Sequence, residues 1–161
     1  MGRPVYGLVR VPGPVPIPSL PTSMIPAART IDFENSVGRI WEEPEAYLRL
    51  EYQPGPREEL QFRALLNHLA QALVRRGWDS VLVDQRAMMP FSSDEQAWMS
   101  QWLPRAVHES GYRCGAVVVA HNVFARLAMM QLVLGSRDLP HTYRTFEHDA
   151  DAVAWLLETG E

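Results

Sequence analysis

The chain has 161 residues, 47% of them hydrophobic, which is enough to form the core of a single domain. Its formal net charge is only −4 and its charged residues are scattered, so the sequence predicts no basic surface for nucleic acid. All 15 cationic residues are arginine, and because they are dispersed we attribute this to coding bias.

The expected location of the protein depends on three features of its composition. No run of about 18 apolar residues is present, so the sequence predicts no membrane span. Prolines interrupt the apolar residues near the start, so we expect no signal peptide and a cytoplasmic protein. The single cysteine, Cys114, precedes a very apolar run, which indicates a buried and inert thiol.

Residues 1–30 form a proline-rich extension in which VPGPVPIPSLP, residues 11–21, alternates proline with apolar residues. Proline fixes φ and lacks a backbone N–H, so this composition favours polyproline II over helix or sheet. We interpret the extension as a flexible tail, with a ligand for a proline-recognising domain as the alternative. A translation start at Met24, which would leave a short lead into the domain, is a third interpretation.

From residue 31 to residue 161, short apolar runs alternate with helical patterns, which predicts a single α/β domain. The first two runs flank Pro44 and are interpreted as an antiparallel hairpin with the proline in its turn. The run GAVVVA is apolar on both faces, as is typical of a central parallel strand. A mixed sheet of five strands is expected, near residues 37–42, 46–52, 80–85, 115–120 and 141–147.

Four helices are predicted to accompany these strands. In the first, apolar residues recur on one face between Phe62 and Leu73, and Gly77 can end the helix in the left-handed conformation. Pro104 falls inside the second helix, which it must kink or end. Asn122 and Asp149 are the expected N-caps of the third and fourth helices.

The stretch VLVDQRAMMPFSSDEQAW, residues 81–98, begins as a strand and ends as a helix. Ser92 with Glu95, or Ser93 with Gln96, fits a capping box, in which a serine and an acidic or amide side chain satisfy backbone N–H groups reciprocally. The first interpretation of this junction is therefore a capped turn.

Several segments between residues 31 and 158 together resemble a STAS-type protein, a relative of the anti-sigma-factor antagonists. The resemblance implies a (βα) superhelix with strands largely in chain order and a non-catalytic role in regulation or protein interaction. Another protein or a second copy of the chain would be the partner. The sequence is also similar, more distantly, to the CRAL-TRIO lipid-binding proteins. The segments are VGRIWEEPEAYLRLEY, RRGWDSVLVDQRAMMPFSSDEQAW, WLPRAV, VFARLAM, YRTFE and DAVAWL.

In anti-sigma-factor antagonists, a serine at the start of the helix after this strand is phosphorylated, which implies Ser92 or Ser93 as the phosphoacceptor. The antagonists follow that serine with glycine, whereas here Asp94 and Glu95 follow. A phosphate beside two carboxylates is repelled, which offsets its favourable interaction with the helix dipole. We therefore expect these serines to act as a helix cap, with a phosphorylation switch as the alternative.

A hydrolase-like site is a third functional interpretation. Asp84 and His121 are expected at the carboxyl ends of neighbouring parallel strands, with Ser92 in the loop between them. No G-x-S-x-G motif exposes the serine, and a sheet in chain order has no reversal point at which a crevice opens. His121, His148 and Asp84 lack the spacing typical of metal ligands. We therefore expect no catalysis, no metal and no cofactor.

Residues 123–134 are apolar on nearly every side, so this helix needs cover on every side. The sheet can cover one side, and a neighbouring helix, a second subunit, the N-terminal tail or a ligand must cover the rest. Right-handed crossovers place helices on one face of the sheet, so the other face of GAVVVA also needs cover, from the final helix or the hairpin.

Two function classes follow from this surplus of apolar surface. An interaction domain would present a flat apolar patch, and a carrier of a small hydrophobic, lipid-like ligand would enclose an apolar cavity. The candidate ligand or interface residues are Trp98, Trp102, Phe124, Met129 and Met130.

Overall fold

The computed structural model describes residues 28–159. The predicted proline-rich extension lies outside this range, apart from residues 28–30, so its interpretation stays a prediction. The described elements are β1 (Thr30–Glu34), β2 (Gly38–Glu43), β3 (Tyr47–Tyr52), α1 (Glu59–Arg76), β4 (Ser80–Asp84), α2 (Ser93–Ser110), β5 (Cys114–Val118), α3 (Val123–Gly135), β6 (Thr142–Phe146) and α4 (Asp149–Thr159).

All of these strands belong to one mixed sheet, in which β1 to β6 lie side by side in chain order. The first three strands pair antiparallel, and β3 to β6 pair parallel. The predicted α/β fold, its N-terminal hairpin, its chain-order sheet and its four helices are confirmed. The prediction of five strands was wrong, because the sheet has six strands.

The additional strand is β1, which forms one edge of the sheet. It pairs with β2 from Thr30 opposite Glu42 to Glu34 opposite Arg39, and its register shifts between Ile31 and Phe33. Such a shift bends an edge strand, and it limits the regular alternation of side chains between the two faces of the sheet to a few residues. In the sequence TIDFE, only the alternate apolar residues Ile31 and Phe33 indicated a strand, and two residues are too short a pattern to identify one.

The two faces of the sheet are covered differently, and each face has its own core. Helices α1, α2 and α3 pack on one face over the larger core, where Phe62, Leu65 and Leu66 are almost fully buried. Helix α4 covers the opposite face of β4 and β5, where Leu156 joins Leu82. The prediction that the final helix covers the second face of β5 is confirmed.

Local conformations at the ends of the elements follow the expected chemistry in most places. Gly77 ends α1 with φ of 66°, and Asn122 caps α3 by accepting hydrogen bonds from the backbone N–H groups of Phe124 and Ala125. Pro104 lies inside α2 and does not end it, because the helix continues to Ser110. None of the helices between residues 28 and 159 combines the length and apolar character that a bilayer crossing requires.

Candidate functional site

The junction between β4 and α2 is built around Ser92, which is the N-cap of the helix. Its Oγ accepts a hydrogen bond from the backbone N–H of Glu95 at 3.1 Å, and the Glu95 carboxylate accepts one from the backbone N–H of Ser92 at 2.8 Å. The capping box therefore uses Ser92 and not Ser93. Ser93 is the first residue of the helix and is exposed.

Arg57 holds this junction from the other side, and its side chain is only 4% exposed. Its guanidinium donates to both carboxylate oxygens of Glu95, at 2.7 and 2.9 Å. It also donates to the backbone carbonyls of Met89 and Pro90, each at 2.8 Å. A planar guanidinium satisfies four acceptors at once in this way, which makes the junction a rigid, fully hydrogen-bonded turn.

Replacing Ser92 with alanine should lower the free energy of unfolding by about 1 kcal/mol, because the N–H of Glu95 loses its acceptor. Ser93→Ala is the matched control, and it should change stability by much less because Ser93 does not form the cap. Urea denaturation of both variants measures the difference. Equal losses would contradict the assignment of the cap, and phosphate incorporation that disappears only in Ser93→Ala would favour the switch interpretation.

The three residues of the alternative hydrolase-like interpretation, Asp84, Ser92 and His121, do not form a hydrogen-bonded group in the described part of the chain. Both carboxylate oxygens of Asp84 bind the guanidinium of Arg86, at 3.0 and 2.7 Å. Burial raises the pKa of Asp84, but hydrogen bonds from Arg86 outweigh it and lower that pKa overall. The Ser92 hydroxyl serves the cap, and His121 is exposed, with its backbone N–H bound to the carbonyl of Arg86. Between residues 28 and 159 no group of His, Cys, Asp or Glu side chains is arranged to hold a metal ion.

Helix α3 presents a broad apolar face that no described element covers. Its inner side is held by three small or aliphatic residues, Ala125, Ala128 and Leu132, which are buried against the core. Five large apolar side chains on its outer side are between 51% and 72% exposed. These residues, which we call the outer face of α3, are Val123, Phe124, Leu127, Met130 and Leu134.

A small cavity lies under the inner side of α3, between the sheet and helices α1, α2 and α3. Its volume is about 70 Å³. Leu50 and Val81 of the sheet, Leu69 of α1, Trp102 of α2 and Leu132 of α3 contribute apolar walls. A largely apolar pocket is therefore present at this place, although it is far smaller than the pockets of about 300 Å³ or more that hold drug-sized ligands.

The structure divides the five predicted ligand or interface residues between these places. Trp102 and Met129 line the cavity, whereas Phe124 and Met130 belong to the outer face of α3. Trp98 does neither: its ring stacks on that of Trp102 with centroids 5.8 Å apart and borders a surface cleft beside the junction. The single predicted cluster is thus two separate sites.

Two polar residues of the cavity wall, His141 and Tyr143, were missed by sequence reasoning. The Tyr143 hydroxyl and the His141 Nδ1 are shielded from solvent and have no hydrogen-bond partner among residues 28–159. Burial raises the pKa of Tyr143, and it lowers the pKa of His141 although a hydrogen bond with the backbone of Leu139 acts in the opposite direction. Tyr143 lies in β6 and His141 is two residues before it, a spacing that places both on one side of an extended chain, and this was the available signal.

No family model, curated protein or solved structure matches this chain. The STAS-type resemblance and the more distant CRAL-TRIO similarity therefore stay predictions. Of what the STAS-type resemblance implies, the α/β fold with strands in chain order is present in the structure.

Proposed function

We propose that this chain is a non-catalytic, STAS-type interaction domain with a regulatory role, and that it binds a second copy of itself through the outer face of α3. The observation that carries the proposal is the row of large apolar side chains exposed on that helix. Burying apolar surface is favourable by about 25 cal/mol per Å², and contiguous exposed patches of this kind mark interaction sites.

The spacing of these residues favours another helix as the occupant. Val123, Leu127, Met130 and Leu134 follow one another at intervals of four, three and four residues. This alternation places side chains along one seam of a helix, where they insert between the side chains of a facing helix. A facing helix with the same seam provides the complementary surface.

The absence of free charge on α3 favours a second copy of this chain as that helix. Arg126 is the only charged residue of α3. Its guanidinium binds the Glu147 carboxylate at 3.0 and 3.2 Å and the backbone carbonyl of Ala120 at 2.6 Å. Two identical seams can therefore meet about a two-fold axis without like charges opposing each other.

The regulatory role and a cytoplasmic location are further parts of the proposal. The regulatory role rests on the STAS-type resemblance, because proteins of that type act by binding a partner. A cytoplasmic location is supported by Cys114, which is a free, buried thiol and is compatible with a reducing compartment.

The second candidate function is a carrier of a small hydrophobic ligand, which the cavity favours. A lipid-like guest does not fit it, because about 70 Å³ is less than half of the roughly 150 Å³ that holds one benzene molecule. A carrier role is therefore compatible with this cavity only if the ligand is much smaller than a lipid.

Replacing Met130 with glutamate tests the proposed dimer. The wild-type chain should sediment as a dimer at high concentration, and Met130→Glu should weaken association at least about 100-fold, because each seam would bury an unpaired charge. Sedimentation velocity over a dilution series measures this, with circular dichroism to verify the fold.

Gln71→Glu is the matched control, because it adds the same charge at an exposed position of α1, outside the outer face of α3. It should still dimerise. A wild-type protein that is monomeric at every concentration, or equal losses in the two folded variants, would contradict self-association through α3. Global unfolding of Met130→Glu would mean that the residue belongs to the core of the domain.

A further inference from the structure

The cavity beneath α3 is unusual because protein interiors are close-packed and an unfilled space lowers stability. Five elements form its apolar walls, so it is not the product of one irregular loop: Leu50 of β3, Val81 of β4, Leu69 of α1, Trp102 of α2 and Leu132 of α3 all contribute. These residues make most of the cavity apolar.

The wall formed by Tyr143 of β6 and by His141, just before that strand, is different, because it carries polar atoms without partners. The Tyr143 hydroxyl and the His141 Nδ1 are shielded from solvent and form no hydrogen bond with residues 28–159. The two rings lie 6.4 Å apart, measured between centroids. The large majority of buried side-chain polar atoms in proteins have a partner, so two such atoms without one on the same wall require an explanation.

Gln85 is another polar residue on the cavity wall, and it is only 2% exposed. Its Nε2 donates to the sulfur of Met129 at 3.2 Å. Thioether sulfur is a weak acceptor, so this contact satisfies the amide poorly. The cavity therefore combines an apolar body with several polar groups whose hydrogen-bonding capacity is unused.

Among the residues that the structure describes, no arginine, lysine, aspartate or glutamate side chain lines this cavity. A charged guest would lose its hydration there without gaining an opposite charge, which is strongly unfavourable. A neutral group that can accept or donate a hydrogen bond would instead satisfy the Tyr143 hydroxyl at little desolvation cost.

We propose that this cavity is a binding site for a small neutral organic molecule with a hydroxyl or carbonyl group at one end. The polar group of the molecule binds Tyr143, and its short apolar part contacts the side chains of α1, α2 and α3. The volume of about 70 Å³ limits the guest to roughly three or four carbon atoms, since benzene occupies a cavity of about 150 Å³.

The site does not depend on the proposed dimer. Its α3 residues are Met129, Leu132, Val133 and Ser136, and none of these belongs to the outer face of the helix. Binding to the cavity and association of two copies can therefore be measured separately, and either one can fail while the other holds.

Titration of the full-length chain with 1-propanol, and separately with 1-chloropropane, tests the proposal. The two probes have the same number of heavy atoms, but only the alcohol has a hydroxyl group. Amide chemical shifts should saturate for residues around the cavity, and 1-propanol should bind at least about 10-fold more tightly, the factor expected for one buried hydrogen bond.

Tyr143→Phe should remove this preference by weakening 1-propanol about 10-fold and leaving 1-chloropropane unchanged. The variant should fold, because it deletes a buried hydroxyl that has no partner. Ala106→Val, which narrows the cavity from α2, should weaken both probes.

Three results would overturn the proposal. The first is that neither probe gives saturable shifts at concentrations below those that unfold the protein, which is the behaviour of a cavity that holds only water. The second is equal affinity of the wild-type chain for the two probes, and the third is an unchanged affinity for 1-propanol in folded Tyr143→Phe.

Discussion

Arg57→Met should lower the free energy of unfolding by about 3 kcal/mol or more, the usual result of removing one partner from a buried ion pair. The variant leaves the carboxylate of Glu95 without its cation, and it leaves the carbonyls of Met89 and Pro90 without donors. Methionine keeps much of the apolar stem of arginine, so the loss reports mainly on the guanidinium, whose Cζ also lies 5.2 Å from the centroid of the Phe91 ring. Urea denaturation at neutral pH measures the effect.

Arg63→Met is the matched control for this prediction. Arg63 also pairs with a glutamate, Glu59, but its side chain is 40% exposed and the pair lies on the surface of α1. An exposed pair of this kind contributes only about 0.5 kcal/mol. Similar losses in the two variants would mean that Arg57 does not act through its buried contacts.

The same ion pair predicts a dependence of stability on pH. Burial raises the pKa of Glu95, but its hydrogen bonds with Arg57 and Ser92 outweigh burial and lower that pKa overall. The stabilisation is therefore fully present above the pKa of an unfolded glutamate, about 4.3, and is lost as the pH falls through the lower folded value. Arg57→Met should have a flatter stability profile across this acidic range than the wild-type chain.

Arg57 also shows which features of the fold a sequence conceals. Ser92 and Glu95 are three residues apart, so their capping box is a local pattern that the sequence reveals. Arg57 lies in a loop, 38 residues before Glu95, and α1 and β4 lie between the two residues in the chain. No local pattern connects such residues, because their contact depends on how the elements pack.

The cavity beneath α3 and the outer face of this helix show a similar limit of prediction from sequence. The apolar sequence of this helix predicted that all of its sides need cover, whereas the described residues cover one side and leave the outer face exposed. It could not reveal which side faces outward, because a helix that is apolar all round has no polar face to mark its orientation. Phe124 and Met129 were therefore placed in one cluster, although the first lies on the outer face and the second lines the cavity.

The polar wall of the cavity was hidden for another reason. His141 and Tyr143 occur in HTYRTFE, where alternation indicates a strand but does not tell which side is buried. His141 packs beside the ring of Tyr112, which comes from another part of the chain, before β5. Partnerless polar atoms can be recognised only when every neighbour is known, because the same residues at an exposed edge would bind water.

Leu156→Ala should lower the free energy of unfolding by about 3 kcal/mol, because it leaves a void in the smaller core of the domain. Leu156 is 2% exposed and packs in the cluster that contains Leu82 and Cys114, where α4 covers the second face of the sheet. Leu157→Ala is the matched control: the adjacent leucine is 37% exposed, so its loss should be below about 1 kcal/mol.

Cys114 provides a second measurement of this prediction, because it is the only cysteine in the chain and lies in the same core. Burial, with a smaller contribution from Asp79, raises the pKa of its thiol, so the folded protein should react slowly with a thiol reagent. Leu156→Ala should accelerate the reaction by about 100-fold if labelling requires global unfolding, since 3 kcal/mol corresponds to that factor. Faster labelling without a change in the urea midpoint would mean that α4 detaches locally. If neither the labelling rate nor the urea midpoint changed, the role of Leu156 as the residue that anchors α4 to the sheet would be contradicted.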